Sequence, residues 1–203
     1  MTAAFHRSGR TLTLAAALLS LTAAPLWAHT GVGPVHGVLH GFGHPLGGWD
    51  HLLAMVAVGL WAAQQSGRAV WLIPGGFVLG MIAGGVLGMT GVAMPAVEAG
   101  IVLSVMLLGA LVAAAVRPPL AASVLLVGLF GMLHGHAHGA EMPAAVSALS
   151  YALGFVAATA LLHASGVFAA LGLGRVASQP ASMRTVRVAG SVIAAAGVML
   201  AFV

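Results

Sequence analysis

The sequence predicts an all-α fold: a polytopic membrane helix bundle of about six transmembrane helices behind a cleavable signal peptide. Three observations predict it. Hydrophobic residues make up 61% of the 203-residue chain and charged residues only 5%, a balance far outside the soluble globular range. The apolar residues fall into runs near the ~20 residues that cross a ~30 Å hydrocarbon layer at ~1.5 Å per residue. Strand-length alternation is absent, and lipid demands that backbone polar groups be satisfied within a spanning segment, so the runs read as helices.

The elements follow in order. Residues 1–28 read as the signal peptide. Arg7 and Arg10 form a basic start, Thr11 to Ala24 an apolar stretch, and Pro25-Leu26-Trp27-Ala28 puts a small residue at the cleavage position. An uncleaved first helix is the alternative. Cleavage after Ala28 would make His29 the mature N-terminus, where the α-amine and the imidazole could chelate one divalent ion together. Residues 29–45 are rich in glycine and histidine and read as a flexible external segment. His36, His40 and His44 recur every four residues, a helix-face spacing, but Gly37, Gly41 and Gly43 argue against a stable helix there.

Residues 46–203 then form the transmembrane domain. The spans are expected at Leu46–Ala63, Val70–Met89, Val97–Val116, Leu120–Gly139, Ala144–His163 and Val186–Val203. Polar or proline-containing breaks separate them: Gln64 to Arg68, Pro95, Arg117-Pro118-Pro119, Pro143, and Arg175 to Arg187. Gly76, Gly80 and Gly84 in the second span follow small-xxx-small spacing, which permits close helix packing.

The arginines test this arrangement. With the signal removed, the mature N-terminus lies outside, and the loops after spans one, three and five face the cytoplasm. Those loops hold Arg68, Arg117, Arg175, Arg184 and Arg187, which are all five arginines beyond the signal. The positive-inside rule therefore supports both the span count and an N-outside orientation in a bacterial inner membrane.

Composition also excludes. The calculated pI of 11.6 reflects scarce acids rather than a basic patch. The net charge is +4, there is no lysine, and the arginines are scattered, so nucleic acid is not a partner. The absence of cysteine removes disulfides, thiolate metal sites and thiol nucleophiles. No nucleotide-binding motif occurs.

Against this apolar background stand two clusters: His44-Pro45-Leu46-Gly47-Gly48-Trp49-Asp50-His51, and His134-Gly135-His136-Ala137-His138-Gly139-Ala140-Glu141. The chain has three acidic residues, and two of them sit in these clusters. Ionisable groups at membrane depth are costly and mark functional candidates, and imidazole with carboxylate suits divalent metals. Asp50 lies about 6 Å below the outer end of the first span, and His134 about 7.5 Å below that of the fourth. Both clusters thus reach the same shallow layer on the outer side.

On a continuing helix, His134, His138 and Glu141 share one face and His136 points away. Gly135 and Gly139 leave two readings of that helix end, a continuing helix or an unwound segment lining a protein cavity. Asp50 and His51 are adjacent and diverge by about 100° on a helix. They are therefore expected to act differently, one as a ligand and the other orienting a neighbouring imidazole. Met55, one turn below His51, is either a thioether ligand or a packing side chain. Glu98, near the outer end of the third span, is either a third-helix ligand or an interfacial acid. His163 is expected at the inner end of the fifth span.

The run from His44 to His51 with Met55, Gly59 and Trp61-Ala62, together with His134-Gly135-x-Ala137-His138-Gly139-x-Glu141, resembles the two signatures of the HupE/UreJ proteins. The resemblance covers essentially the whole chain. It implies a nickel or cobalt permease associated with supplying metal to hydrogenase or urease. Matched by motif position, His44, Asp50, His51, His134, His138 and Glu141 are the metal-site residues it implies. His36, His40 and His136 are less firmly tied to the motifs.

The expected activity is therefore not that of an enzyme. It is secondary transport of Ni²⁺ or Co²⁺, carried as substrate with no resident cofactor, through a site near the outer membrane face. The alternative is a membrane haem or redox protein with paired histidine ligands. An intramembrane metallohydrolase is a weaker reading, because the HExxH pattern is missing.

Overall fold

The computed structural model describes residues 37–143 and 146–202. The expected signal peptide, His29 and His36 lie outside the described residues. Among the described residues seven helices follow one another: α1 (Gly37–Gly47), α2 (Trp49–Gln65), α3 (Ala69–Met89), α4 (Val97–Ala114), α5 (Leu120–Ala140), α6 (Ala148–Val176) and α7 (Gln179–Leu200). No strand occurs among the described residues. Five of these helices are long and apolar enough to cross a membrane, or six if α1 and α2, bent by 85° at Gly48, count as one broken span.

The first helix corrects the expectation of an irregular segment up to residue 45. Glycine lowers helix propensity, but tertiary contact overrides it here. A Cβ at Gly41 would overlap the Tyr151 carbonyl, and one at Gly154 would overlap the Val38 carbonyl. The glycines thus let α1 lie directly on α6. Gly48 takes an extended conformation and separates α1 from α2.

Glycine also sets the most extensive helix pairing, α3 on α5. Cβ atoms at Gly80 and Gly84 would collide with the carbonyls of Gly128 and Met132. From the other side, Cβ atoms at Gly131, Gly135 and Gly139 would collide with those of Phe77, Met81 and Gly85. Small residues let membrane helices approach this closely, and the gain is van der Waals contact rather than hydrophobic burial. Gly135 and Gly139 therefore do not unwind α5, which stays helical to Ala140.

The apolar core centres on α2. Ala54, Met55, Ala57, Val58, Trp61 and Ala62 are fully enclosed. Leu79, Leu125 and Leu161 instead lie exposed on outer helices, the surface that lipid covers. At the arginine-bearing end, Trp61 Nε1 donates to the Val116 carbonyl at 2.9 Å and Gln64 Nε2 to the Val112 carbonyl at 3.0 Å. Arg187 Nε donates to the Ala113 carbonyl at 2.7 Å. These bonds tie the carbonyls at and just past the end of α4 to α2 and α7.

The fifth span is longer than expected. Helix α6 runs 29 residues to Val176, so His163 stands in mid-helix, not at an end.

Candidate metal site

Four elements deliver side chains to one place: α1 brings His44, the start of α2 brings Asp50 and His51, the end of α5 brings His134, His138 and Glu141, and α6 brings Tyr151 and Phe155. The two sequence clusters meet. The His44 and His138 rings are 4.6 Å apart by centroid, His51 and His138 4.2 Å, and His51 and His134 4.7 Å. Phe155 closes one side of His138 at 4.1 Å.

Burial deepens along the series. Side-chain exposure is 60% for Glu141 and 29% for His44. It falls to 8%, 4% and 0% of the residue for His51, His138 and His134. At the exposed end, His44 Nε2 lies 3.3 Å from Glu141 Oε2. His44, His138 and Glu141 each offer a ligand atom, all within 4.8 Å of one another. That spacing allows one divalent ion to gather two imidazoles and a carboxylate.

Asp50 and His51 resolve as the 100° divergence requires. The Asp50 carboxylate folds back on its neighbour. Its Oδ1 accepts from the His51 backbone N–H at 2.7 Å, satisfying a donor left open at a helix start. The same oxygen lies 2.7 Å from His51 Nδ1. A carboxylate at that nitrogen holds a proton there and leaves the Nε2 lone pair free. Nε2 is buried and has no hydrogen-bond partner.

His134 is held in a comparable way by a residue that sequence reasoning missed. Ser104 of α4 is fully buried and donates its hydroxyl to the Ile101 carbonyl at 2.6 Å. With its proton committed, the Ser104 oxygen accepts from His134 Nε2–H at 2.9 Å. His134 Nδ1 then keeps its lone pair, buried and without a partner. Both ring nitrogens of His138 are likewise buried and unpartnered. Buried polar atoms are nearly always hydrogen-bonded, and such exceptions call for an explanation. Three neighbouring imidazoles thus present unpaired nitrogens, while the ligand atoms that converge within 4.8 Å among the described residues are those of His44, His138 and Glu141.

The other sequence candidates divide. His40 stands at the margin, its ring 6.2 Å from His44 and 5.9 Å from Tyr151. Met55 is fully buried in the apolar core. His136 points away from the cluster, as its register predicts, and its Nε2 lies 2.7 Å from the Val92 carbonyl, where it donates. Glu98 is an exposed residue of the first turn of α4. Tyr151 and Phe155 carry no signal in an isolated sequence, because aromatic residues in a membrane helix ordinarily face lipid or core.

Comparison with known proteins places the chain in a family. The family model described as HupE / UreJ protein matches residues 16–200. Protein HupE of Rhizobium leguminosarum bv. viciae is 45% identical over 183 residues, covering 90% of this chain and 94% of that protein. No solved structure matches. With a match that runs through both histidine clusters and nearly every helix, the chain belongs to the HupE/UreJ family.

Proposed function

We propose that the protein is a permease that takes Ni²⁺ or Co²⁺ from the periplasm to the cytoplasm. The carrying observation is the set of unpartnered, buried imidazole nitrogens on His51, His134 and His138, opening outward through His44 and Glu141. Neutral imidazole is a favoured ligand for both metals. Family membership and the resemblance of both motifs support the same reading, including a role in supplying hydrogenase or urease.

Glu141 and His44 meet the hydrated ion first and offset its charge. The ion then exchanges water for imidazole nitrogen as it moves toward His138, His51 and His134. Several adjacent ligands, each replaceable by the next, keep binding weak enough for release inward. Entry of a doubly charged ion down a 100 mV potential gains about 4.6 kcal/mol, twice the single-charge figure. The haem alternative suits the site poorly, since the imidazole rings pack directly on one another and leave no slot between them for a macrocycle.

Radiolabelled nickel and cobalt uptake in cells expressing the wild type, Asp50→Ala or His138→Ala tests the proposal. Metal-dependent uptake lost in both variants is the expected result. Equal uptake by all three would sink the assignment, and a Soret band in the purified protein would revive the haem reading.

A further inference from the structure

Beyond the outer cluster, one further histidine is buried without hydrogen-bond partners among the described residues. His163 lies in the middle of α6 and is 2% exposed. Both its ring nitrogens are buried without a hydrogen-bond partner. A histidine in a membrane helix is costly to keep there for packing alone, and at this position leucine or phenylalanine would fill the space without stranding two polar atoms.

Its surroundings connect it to the cluster. The ring of Phe77 on α3 lies 5.4 Å from His134 and 5.1 Å from His163, edge-on to the latter. One aromatic side chain thus borders both histidines. A second line of residues runs along α6 itself: Tyr151, Phe155, Thr159 and His163, spaced by four and all buried. Tyr151 stands beside His40 and His44, and Phe155 packs on His138. Thr159 donates to the Met81 sulfur at 3.5 Å. From Phe155 to His163 the helix advances about 12 Å, and from His163 about 20 Å remain to its end at Val176.

We propose that His163 is a second, inward cation station, reached from the His134 end of the outer cluster past the ring of Phe77. This rests on the transport reading above and extends it into the inner half of the membrane. On this face of α6 a dehydrated divalent ion leaving His134 otherwise meets only the Thr159 hydroxyl, whose proton is committed to the Met81 sulfur. A single imidazole, with one lone pair free in either tautomer, divides that stretch in two. Phe77, touching both rings, separates the stations and prevents one continuous, tight site from trapping the ion.

The test is Co²⁺ flux into liposomes containing the full-length protein, read beside Co²⁺ binding to the same protein in detergent. His163→Phe keeps an aromatic ring against Phe77 but cannot ligate. His163→Gln keeps a polar group of similar size and guards against a packing defect in the first variant. Both are expected to bind Co²⁺ at the outer cluster within about threefold of wild type while flux falls about tenfold or more. That split separates a lost station from a lost fold, since misfolding would remove outer binding too. Wild-type flux in either variant overturns the assignment of His163 and leaves the transport reading intact. A wild type that carries no Co²⁺ overturns both.

Discussion

Replacing Asp50 separates an orienting carboxylate from a ligand or a bare charge. Its Oδ1 makes two contacts of 2.7 Å, to the backbone N–H and to the imidazole Nδ1 of His51. Both depend on a side chain short enough to fold back on its own neighbour. Loss of such an outer partner lowers metal affinity about 10- to 100-fold, or ~1.4–2.7 kcal/mol at ~1.36 kcal/mol per tenfold. Asp50→Asn retains an acceptor for Nδ1–H but not the charge that makes His51 more basic, so it is expected near the lower figure. Asp50→Ala loses both and is expected near the upper. Asp50→Glu keeps the charge and moves the oxygen outward by one methylene. It should bind no better than Asp50→Asn. Calorimetric titration of Co²⁺ into the purified protein measures all four affinities, with circular dichroism checking helical content. If Asp50→Glu matches wild type while Asp50→Asn does not, charge alone matters and the orienting role is refuted. If Asp50→Ala also matches wild type, Asp50 has no part in binding.

Three further outcomes are expected. Ser104→Ala removes the acceptor that fixes His134 as its Nε2–H form and should weaken Co²⁺ binding about tenfold; unchanged affinity would exclude a role in holding the tautomer. Gly84→Ala forces a methyl into the Met132 carbonyl, whereas Gly75→Ala on the same helix meets open space. The first should lower detergent-state stability by about 1–3 kcal/mol and the second should not, as thermal unfolding will read. Imidazole ligates metal only when neutral, and protons compete for it, so Co²⁺ affinity of the purified protein should fall as pH is lowered from ~7 towards ~4. Affinity unchanged across that range counts against imidazole ligation.

Membrane spans were legible because lipid imposes a length and an apolarity that composition displays directly. The interiors of α3, α4 and α5 fall where the sequence places them, since Arg68, Pro95 and Arg117-Pro118-Pro119 interrupt the apolar runs. What escaped the sequence was set by contacts between helices. The helix at Gly37–Gly47 exists despite four unfavourable glycines, because two of its residues touch the α6 backbone. The end of the fifth span was misplaced at His163 because a polar residue reads as a boundary, when here it is a buried interior residue of a longer helix.

The site shows the same division. The convergence of His44, His51, His134 and His138 could be expected, since their acids and depths were visible in one dimension. The 100° between Asp50 and His51 also predicted unequal roles. Ser104 could not be found, because a serine in a membrane helix most often bonds its own backbone. It does so here, to Ile101, and that bond is what commits its proton and turns its oxygen toward His134.

The glycine seam and the proposed ion path draw on the same residues, so that path ties function to stability along α3. The Phe77 carbonyl is the atom against which Gly131 is seated, and the Phe77 ring borders His134 and His163. The Met81 carbonyl seats Gly135, and its sulfur accepts from Thr159. Any side chain added at Gly131 or Gly135 pushes α3 away from α5 and carries these two side chains with it. His134 and His138, lying one residue before Gly135 and Gly139, keep the helix face next to the seam. Close packing of the two backbones therefore sets how far the aromatic ring and the thioether reach across to α6. A glycine substitution there should change cation movement before it unfolds the bundle, because a shift of a few tenths of an ångström matters more to a ring lodged against two imidazoles than to the lipid-facing surface of the helix.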